Sequence, residues 1–376
     1  MHVCPLQLQG FLLTLAWSEC MALRKKVADN LYRGTTMFTY DEIERKSIVI
    51  LRILNQAGQP LGARIIARKI RDYGVSLSER AVRYHLQFMD ERGLTLLVGR
   101  RDGRVITEKG IEELRNARVQ DKVGYAISRI EILSYKTTFD IESRTGLIPV
   151  NVSFFSEKLF PDALGAMKEA FDNRLAVSDL VGVASAGSFI GDMNVPEGQV
   201  GFATVCSIVF NGVLLKRGIP MDSKFGGILQ VQEKKPVRFV ELIHYSGTSL
   251  DPSEAFISAK MTSVRDAMSG GEGKILANFR EVAGICRENV MDVIDLLAGA
   301  GIRGMLSTGK MGEPVCQVPV DVNKVGMVLL GGLNPVASAR EVGIEAENFA
   351  MSTVMDFRLL RPFSQVLREM RSKKAF

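Results

Sequence analysis

Four side chains that carry hydrogen-bond donors share one side of a short predicted helix in the segment SERAVRYHLQFMDERGL, residues 78–94. They are Arg80, Arg83, Tyr84 and Gln87. At about 100° per residue, Leu86 and Met89 lie on the same side as Val82, so an apolar stripe lies opposite the donors. Long donor side chains on one helix face can read base edges in the major groove of DNA. A solvated polar face is the simpler alternative, and the neighbouring elements decide between the two.

The helices that would position this face are predicted from apolar spacing. Residues 42–56 and 63–74 both have the period of a helix and flank the turn AGQPLG. Ser76 and Glu79 have the spacing of a capping box, which would start the third helix there. The expected order is therefore a helix, a short helix, a turn and the donor-bearing helix.

A hairpin is predicted directly after the third helix. The segment LTLLVGRRDGRVITEKG, residues 94–110, reads as two strands joined at Asp102 and Gly103, because glycine tolerates the positive φ of a tight turn. Its tip carries Arg100, Arg101 and Arg104. We expect a winged helix-turn-helix domain over residues 41–117, with the wing arginines on phosphates or in the neighbouring minor groove. A winged helix that binds a protein is the alternative. His85 falls toward the apolar side and is expected to be packed.

The distribution of charge favours a polyanionic partner for this domain. The net charge of the chain is +6, and residues 41–120 contain 16 Lys and Arg against 11 Asp and Glu. Residues 121–376 contain 28 against 29. A basic domain joined to a near-neutral body is typical of double-stranded DNA binding.

The length of the chain and its few cysteines and histidines limit the classes of function that remain. A chain of 376 residues can hold two or three domains, and its 46% of hydrophobic residues is ordinary for a globular protein. The five cysteines form no CxxC pair and the histidines number only three, so we expect a reducing, cytoplasmic location, no metal centre and no cofactor. GFLLTLAW is too short to span a membrane. Residues 1–36 are expected to be a disordered leader, or an over-long start with Met21 or Met37 as the true beginning.

The body of the chain contains an internal repeat. VGFATVCSIVFNGVLLKRGI, residues 200–219, parallels VGMVLLGGLNPVASAREVGI, residues 325–344, and Asn151 upstream lies opposite Asn278. Each unit predicts strands alternating with amphipathic helices. The expected fold class is mixed α/β: an N-terminal winged helix-turn-helix followed by an internally duplicated α/β domain. We place a linker helix at 118–135 and the duplicated domain at 136–365, with halves of about 136–250 and 251–365.

The strand-to-helix turns of the repeat are the predicted effector site. Backbone N–H groups at such turns favour an anion, and pockets favour the cleft between related halves. The candidate pocket residues are Cys206, Ser207, Asn211, Gly331, Gly332 and Asn334. Basic residues that could neutralise a carboxylate are Lys216, Arg217 and Arg265. The alternative is that the glycines only permit tight packing and that Cys206 is a small buried hydrophobe.

The segment HYSGTSLDPSEAFI, residues 244–257, contains the residue types of a hydrolase in a single loop. Members of a catalytic triad must converge in space, which one loop rarely achieves, and no nucleophile elbow is present. We expect Asp251 or Ser253 to lie at the N-terminus of a helix instead. No catalytic residue is assigned, and the chain is not expected to be an enzyme.

Five stretches together carry a family resemblance. They are FDIESRTGLIPVNVSFF, GFATVCSIVFNGVLLKRGIP, DSKFGGILQV, VGMVLLGGLNPVASAREVGI and AMSTVMDF. These stretches, over roughly residues 125–365, resemble the regulatory domain of the NrpR nitrogen-regulation repressors of methanogenic archaea. The preceding segment resembles the winged-helix module named after ribonuclease R.

The resemblance implies a transcriptional repressor that binds operators of nitrogen-assimilation genes as a dimer or higher oligomer. It also implies that 2-oxoglutarate weakens DNA binding. The ligand would favour one arrangement of the two halves and shift the paired winged helices through the linker helix. An enzyme acting on a small anion, with an appended winged helix, and a protein-interaction module are the competing functions.

Overall fold

The structure is a computed structural model, and it describes the chain over four ranges: residues 40–73, 75–99, 101–116 and 125–374. The leader predicted over residues 1–36, the wing residue Arg100 and the first part of the predicted linker lie outside these ranges.

The N-terminal domain has the predicted order of a winged helix. Its elements are α1 (Tyr40–Ala57), α2 (Ala63–Lys69) with a 3-10 turn (Ile70–Tyr73), α3 (Glu79–Glu91), β1 (Thr95–Gly99), β2 (Gly103–Ile106) and α4 (Glu108–Asn116). The apolar side chains of Ile50, Ile66 and Leu86 meet in its core and are fully buried. The wing strands pair antiparallel, and Arg104 also exchanges backbone hydrogen bonds with Leu61. This confirms the predicted domain type.

The third helix starts two residues later than the capping-box spacing predicted. Ser78, with φ −69° and ψ 157°, is the N-cap, and its Oγ accepts a hydrogen bond from the N–H of Ala81 at 3.2 Å. Ser76 lies outside the helix in an irregular segment. The prediction for Ser76 was wrong because a cap needs an extended backbone directly before the first helical turn, and sequence spacing alone does not locate that turn.

The remaining chain forms a linker helix and a two-sheet domain. The elements before the middle are α5 (Tyr125–Lys136), β3 (Leu147–Ser156), α6 (Phe160–Asp172), β4 (Leu180–Ser185), β5 (Phe189–Ile190), β6 (Met193–Asn194), β7 (Gln199–Val205), α7 (Ile208–Lys216), β8 (Asp222–Gln232) and β9 (Lys235–His244). The elements after it are α8 (Pro252–Ser258), α9 (Val264–Ser269), β10 (Gly273–Ala283), α10 (Arg287–Gly299), β11 (Met305–Thr308), β12 (Lys324–Leu330), α11 (Asn334–Glu341), β13 (Ala346–Asp356), β14 (Arg361–Pro362) and α12 (Phe363–Lys374).

The duplication is visible in the element order and in the strand register. β3-α6-β4-β7-α7-β8 corresponds to β10-α10-β11-β12-α11-β13. Asn151 pairs with Thr204, which lies three residues after Gly201 of the first repeat. Asn278 pairs with Leu329, which lies three residues after Gly326, the equivalent glycine of the second repeat. Gly218 and Gly343, each the last residue but one of its repeat, both have positive φ, at 77° and 84°. Glycine suits these positions because a Cβ disfavours that backbone conformation.

The two halves exchange strands. Sheet 1 has the order β13-β3-β7-β4-β14, and sheet 2 has the order β11-β12-β10-β8-β9. The last strand of the first repeat, β8, therefore pairs with β10, the first strand of the second half. The last strand of the second repeat, β13, pairs with β3, the first strand of the first half. One hydrophobic core contains side chains of both sheets and of the helices between their strands. The halves are consequently one folding unit, joined where the strand-to-helix turns of the two repeats meet.

Candidate functional site

The donor face of α3 is exposed as predicted. Arg80, Arg83 and Gln87 are exposed, and Tyr84 retains 41% of its accessible surface, whereas His85 is buried. Arg80 Nη2 donates to the Tyr84 hydroxyl at 3.1 Å, which holds these two side chains together on the surface. Arg83 pairs with Glu79 and Gln87 donates to Glu91, both one helical turn away. Four donor side chains thus project from one face of a helix whose other face fills the core.

The wing arginines differ in their partners. Arg101 is exposed at the turn between β1 and β2. Arg104 retains 20% of its side-chain surface and its Nε lies 2.7 Å from a carboxylate oxygen of Asp90. Thr95 donates a hydrogen bond to the same carboxylate. The predicted phosphate-contacting role of Arg104 therefore competes with an ion pair that fastens the wing to α3, while Arg100 lies outside the described residues.

His85 is a core residue, as expected. Its Nδ1 lies 3.4 Å from the Ser47 hydroxyl, and burial lowers the pKa of the imidazole to about 4. The neutral form therefore predominates at neutral pH, and the side chain contributes to packing between α1 and α3.

The predicted effector turns lie in the buried contact between the two halves. Asn334 bonds the backbone N–H and C=O of Leu276, at 2.8 and 3.0 Å, and so fastens α11 to β10. A Cβ on Gly332 would lie 2.3 Å from the Asn151 amide nitrogen, and one on Gly331 would lie 2.6 Å from the Cβ of Leu276. At these two positions the structure therefore matches the alternative reading, in which glycine permits tight packing between the halves.

The turn of the first repeat surrounds a buried arginine that the sequence analysis did not identify. Arg280 on β10 is 1% exposed. Its Nη1 donates to the Ser207 carbonyl at 2.9 Å and to the Asn211 side-chain oxygen, and its Nη2 donates to the Ser207 hydroxyl at 2.8 Å. Asn278, also on β10, donates to the same hydroxyl at 3.1 Å and accepts from Tyr245. Two of the predicted effector residues, Ser207 and Asn211, therefore meet at one guanidinium.

A comparison of the repeats could have found Arg280. Asn278 corresponds to Asn151, so Arg280 occupies the position of Ser153 in the first half. The second half thus has a buried charged residue where the first half has a small polar one. This asymmetry was present in the sequence, although it does not show which side chains the guanidinium contacts.

The predicted basic residues do not join this turn. Lys216 and Arg217 lie at the C-terminal end of α7, about 13 Å along the helix from Ser207 at a rise of about 1.5 Å per residue. Lys216 Nζ donates to the Tyr135 carbonyl at 3.0 Å. Arg265 lies in the first turn of α9, where its backbone N–H donates to Glu341. Their predicted role in binding an effector stays a prediction.

Cys206 is buried beside the same turn, and burial raises the pKa of its thiol to about 11. The thiol form therefore predominates at neutral pH, which agrees with a packed side chain and disfavours a nucleophile.

The linker helix rests directly on this turn. A hydrophobic cluster joins α5 to the first-repeat turn, to Tyr245 and to β13; its members include Ala126, Ile130, Leu133, Cys206, Ile208, Tyr245 and Met351. A Cβ on Gly212 of α7 would lie 2.4 Å from the Thr137 side chain, directly after α5. Since Gly212 allows the two helices to approach this closely, a shift of the turn would move α5.

A cavity of about 780 Å³ lies between the winged helix and the duplicated domain. Its walls come from α1, from the 3-10 turn after α2, from α5, from the segment before α8 and from the irregular part of β13. Tyr73 stacks on Tyr125 with ring centroids 6.2 Å apart, and the Arg52 guanidinium lies 3.9 Å above the Tyr125 ring. The nine predicted effector residues, all of them in the described part of the chain, are not among those that line it.

Ion pairs close the edges of this cavity. Lys69 on α2 lies 3.2 Å from Asp192 in the turn between β5 and β6, and Lys136 on α5 pairs with Asp72 in the 3-10 turn. Arg129 on α5 donates to the carbonyls of Met351 and Ser352 on β13. The winged helix is thus attached to the duplicated domain through side chains on both sides of the cavity.

Asp251 is the N-cap of α8, as the sequence analysis expected. Its carboxylate accepts hydrogen bonds from the N–H groups of Ser253 and Glu254, at 2.7 and 3.3 Å. Burial, together with the charge of Asp251, raises the pKa of Glu254 to about 8. The loop that contains the hydrolase residue types therefore ends in a helix cap.

The comparisons with known proteins agree with this architecture. The profile of the family described as NrpR regulatory domains NRD1 and 2 matches residues 123–362, and the ribonuclease R winged-helix domain matches residues 48–114. The global nitrogen regulator NrpRI of Methanosarcina mazei is 38% identical over 85% of this chain and 98% of that protein. The chain belongs to the NrpR family.

Other NrpR relatives are longer than this chain. The global nitrogen regulators NrpR of Methanocaldococcus jannaschii and Methanococcus maripaludis are 34% and 31% identical over 90% and 87% of the chain. The aligned regions span 59% and 57% of those proteins. The crystal structure of a nitrogen repressor-like protein from Methanococcus jannaschii is 29% identical, covers 63% of this chain and 98% of its own, and superimposes with a TM-score of 0.54.

The relatives that the chain matches are named as regulators, in agreement with the expectation that the chain is not an enzyme. Within the four described ranges, no helix has the length and hydropathy to cross a membrane.

Proposed function

We propose that the protein is a transcriptional repressor of nitrogen-assimilation genes that binds double-stranded operator DNA and releases it when 2-oxoglutarate binds. It acts as a homodimer or higher oligomer, so that two winged helices contact two half-sites. The names of its relatives, global nitrogen regulators, support the target genes. The effector is the one that the family resemblance implies, and the sequence analysis expected the turn at Ser207 to favour an anion.

The exposed donor face of α3 is the observation that carries the proposal. Arg80, Arg83 and Gln87 project from the helix that a winged helix places in the major groove, where arginine pairs with guanine and glutamine with adenine. Each of these side chains is held in the free protein by a neighbour one turn away, and DNA would replace that neighbour. Arg101 on the wing adds a contact to a phosphate.

The route from effector to DNA passes through α5. α5 packs on the turn at Cys206 on one side and forms the wall of the interdomain cavity on the other. A ligand that favours a different position of this turn would shift α5 and, with it, the distance between paired winged helices. The resulting change in operator affinity is the coupling free energy between the two sites.

The test is fluorescence anisotropy of the full chain on DNA from upstream of its own gene and of neighbouring nitrogen genes. Salt concentration is fixed, and 2-oxoglutarate is present or absent. Specific binding that the ligand weakens supports the proposal. Specific binding that 2-oxoglutarate does not change would support the repressor and contradict the choice of effector. Weak binding that is equal on unrelated DNA would contradict operator recognition.

A double variant separates DNA binding from a protein-docking role. Arg80→Ala with Arg83→Ala should lower operator affinity about 30-fold or more, because each of the two base contacts contributes about 1–3 kcal/mol. Arg238→Ala with Arg303→Ala removes the same charge from the duplicated domain and should leave affinity nearly unchanged. Operator binding that survives in the first variant would favour the protein-interaction alternative.

A further inference from the structure

Three arginines lie in a row on the helix that precedes the recognition helix. Arg64 and Arg68 on α2 and Arg71 in the 3-10 turn that follows it are all exposed. Their spacing of four and then three residues places them within about 60° of one another around the helix, at about 100° per residue. This arginine row extends over about 11 Å, at a rise of about 1.5 Å per α-helical residue and about 2 Å per 3-10 residue.

The arginine row has no acidic partner in the free protein. Within the part of the chain that the structure describes, none of its three guanidinium groups forms a hydrogen bond or an ion pair. Other arginines of the same domain are paired, since Arg92 bonds Glu113 and Arg104 bonds Asp90. Like charges three or four residues apart on a helix repel each other, so the row destabilises α2. The fold therefore gives no reason for three cations at these positions.

The other sides of α2 are already occupied. Ile66 and Ile70 are buried in the core of the winged helix, about 120° around the helix from the middle of the row. Lys69 lies about 130° from the row in the opposite direction, and it is 3.2 Å from Asp192 of the duplicated domain. The arginine row is also not among the residues that line the interdomain cavity. The row thus faces neither the core nor the duplicated domain, and it is open to a further partner.

We propose that the arginine row binds successive phosphates of one DNA strand beside the major groove that α3 enters. This inference rests on the proposed function only in taking double-stranded DNA as the polyanion, and it depends on neither the operator nor the effector. In a helix-turn-helix the helix before the recognition helix crosses the DNA backbone, which brings α2 alongside phosphates. Phosphates of one strand follow each other about every 3.4 Å along the duplex axis. A row of about 11 Å is therefore long enough to contact two or three of them.

The contacts of the arginine row differ in purpose from those of the donor face on α3. A guanidinium binds two phosphate oxygens through parallel N–H groups, and this contact is the same for every base sequence. Phosphate contacts fix the position and the orientation of the protein on the duplex, whereas base contacts discriminate between sequences. The row therefore supplies affinity for any duplex and holds α3 at the depth and angle at which Arg80 and Gln87 reach base edges.

The test removes the three charges together in the full chain, as Arg64→Gln with Arg68→Gln and Arg71→Gln. The probe is a fluorescent duplex of random sequence, roughly 30 base pairs long, titrated by anisotropy at several KCl concentrations. The slope of log affinity against log salt should fall by about 2–3, because each lost phosphate contact removes the release of about 0.9 counterion. Affinity at low salt should fall about 10-fold or more.

A matched control removes three positive charges from exposed positions of the duplicated domain, as Arg174→Gln with Arg238→Gln and Arg303→Gln. This variant has the same net charge as the first and should retain the wild-type slope. A third variant replaces the row by lysines, which bind phosphate as point charges, and should retain most of the slope. The glutamine variant of the row should unfold at a Tm no lower than that of wild type, since it only loses repulsion between exposed groups.

The outcomes separate this inference from the proposed function. A wild-type slope in the glutamine variant, with salt-dependent binding by wild type, would overturn the arginine row and leave operator binding in place. Equal reductions of the slope in the glutamine variant and the control would also overturn it, because they would reflect net charge alone. If wild type binds every duplex equally and the glutamine variant loses the slope, the row is supported and operator recognition is contradicted. Absence of DNA binding by wild type would overturn both.

Discussion

At the scale of single residues, two arginines of the wing illustrate how a partner decides a role. Arg101 is exposed, whereas Arg104 is held by Asp90. Arg101→Gln should reduce the slope of log affinity for DNA against log salt by about 1, because one phosphate contact is lost.

Arg104→Gln should instead lower the free energy of unfolding by about 1 kcal/mol, because the half-buried Asp90 carboxylate loses its charged partner. Anisotropy titrations in 50–300 mM KCl and urea unfolding, performed on both variants, check the pair of expectations. A salt slope that falls only in Arg104→Gln would reverse the two roles.

His85 gives the winged helix a pH-dependent stability. Its folded pKa is about 4, whereas an unfolded histidine titrates near about 6.5. Between these values the unfolded chain binds the additional proton, so the stabilising contribution is present above about pH 6.5 and is lost as the pH falls toward 4. The contribution is on the order of 3 kcal/mol.

His85→Gln should flatten the pH dependence of the free energy of unfolding between pH 5 and 7, measured by urea unfolding. His244→Gln, which changes an exposed histidine on β9, serves as the control and should retain the wild-type slope. An unchanged slope in His85→Gln would assign the pH dependence to other groups.

At the scale of elements, the start of the recognition helix depends on one hydroxyl. Ser78→Ala removes the side-chain acceptor for the N–H of Ala81 and should lower the free energy of unfolding by about 1 kcal/mol. Ser76→Ala is the matched control, since Ser76 lies outside α3 and its loss should change stability by less than about 0.5 kcal/mol. Urea unfolding followed by circular dichroism measures both variants. A larger loss of stability in Ser76→Ala would show that Ser76 is the N-cap after all.

The strand exchange between sheets 1 and 2 has a consequence for regulation. β13 enters sheet 1 from the second half, and its irregular segment is held by Asn151, by Glu254 and by Arg129 of the linker helix. A movement of one half relative to the other is therefore transmitted to α5 through a strand that belongs to both. Two halves with independent sheets would lack this connection.

At the scale of the whole molecule, two ion pairs couple the winged helix to the duplicated domain. Asp72→Asn with Asp192→Asn removes the pairs to Lys136 and Lys69 and retains the shape of both side chains. Each pair contributes only about 0–1 kcal/mol, so the variant should fold. The ratio of operator Kd values with and without 2-oxoglutarate should move toward 1, because the effector then shifts the winged helix less.

Asp179→Asn provides the control for this double variant, since it breaks only the 3.8 Å pair with Arg303 inside the duplicated domain. It should retain the wild-type ratio in the same anisotropy titrations. A wild-type ratio in the double variant would show that coupling passes through the hydrophobic contacts of α5 alone.

The sequence by itself determined the features that depend on local patterns. The donor face of α3 follows from helical periodicity, the wing from the turn at Asp102 and Gly103, and the duplicated α/β body from spacings that both halves retain. The helix cap at Asp251 was also readable, because a cap involves only its own first turn. Each of these rests on residues within a few positions of one another, or on the repetition of such a pattern.

Only the tertiary structure decided which distant side chains meet. The exchange of β8 and β13 between sheets and the burial of Arg280 against Ser207 and Asn211 join segments far apart in the chain. The ion pair that holds Arg104 joins the wing to a different element, α3. The physical reason is that strand pairing and the desolvation of charge are set by the packed arrangement of whole elements. A sequence pattern shows that a turn can bind an anion, and the fold determines which cation lies beside it.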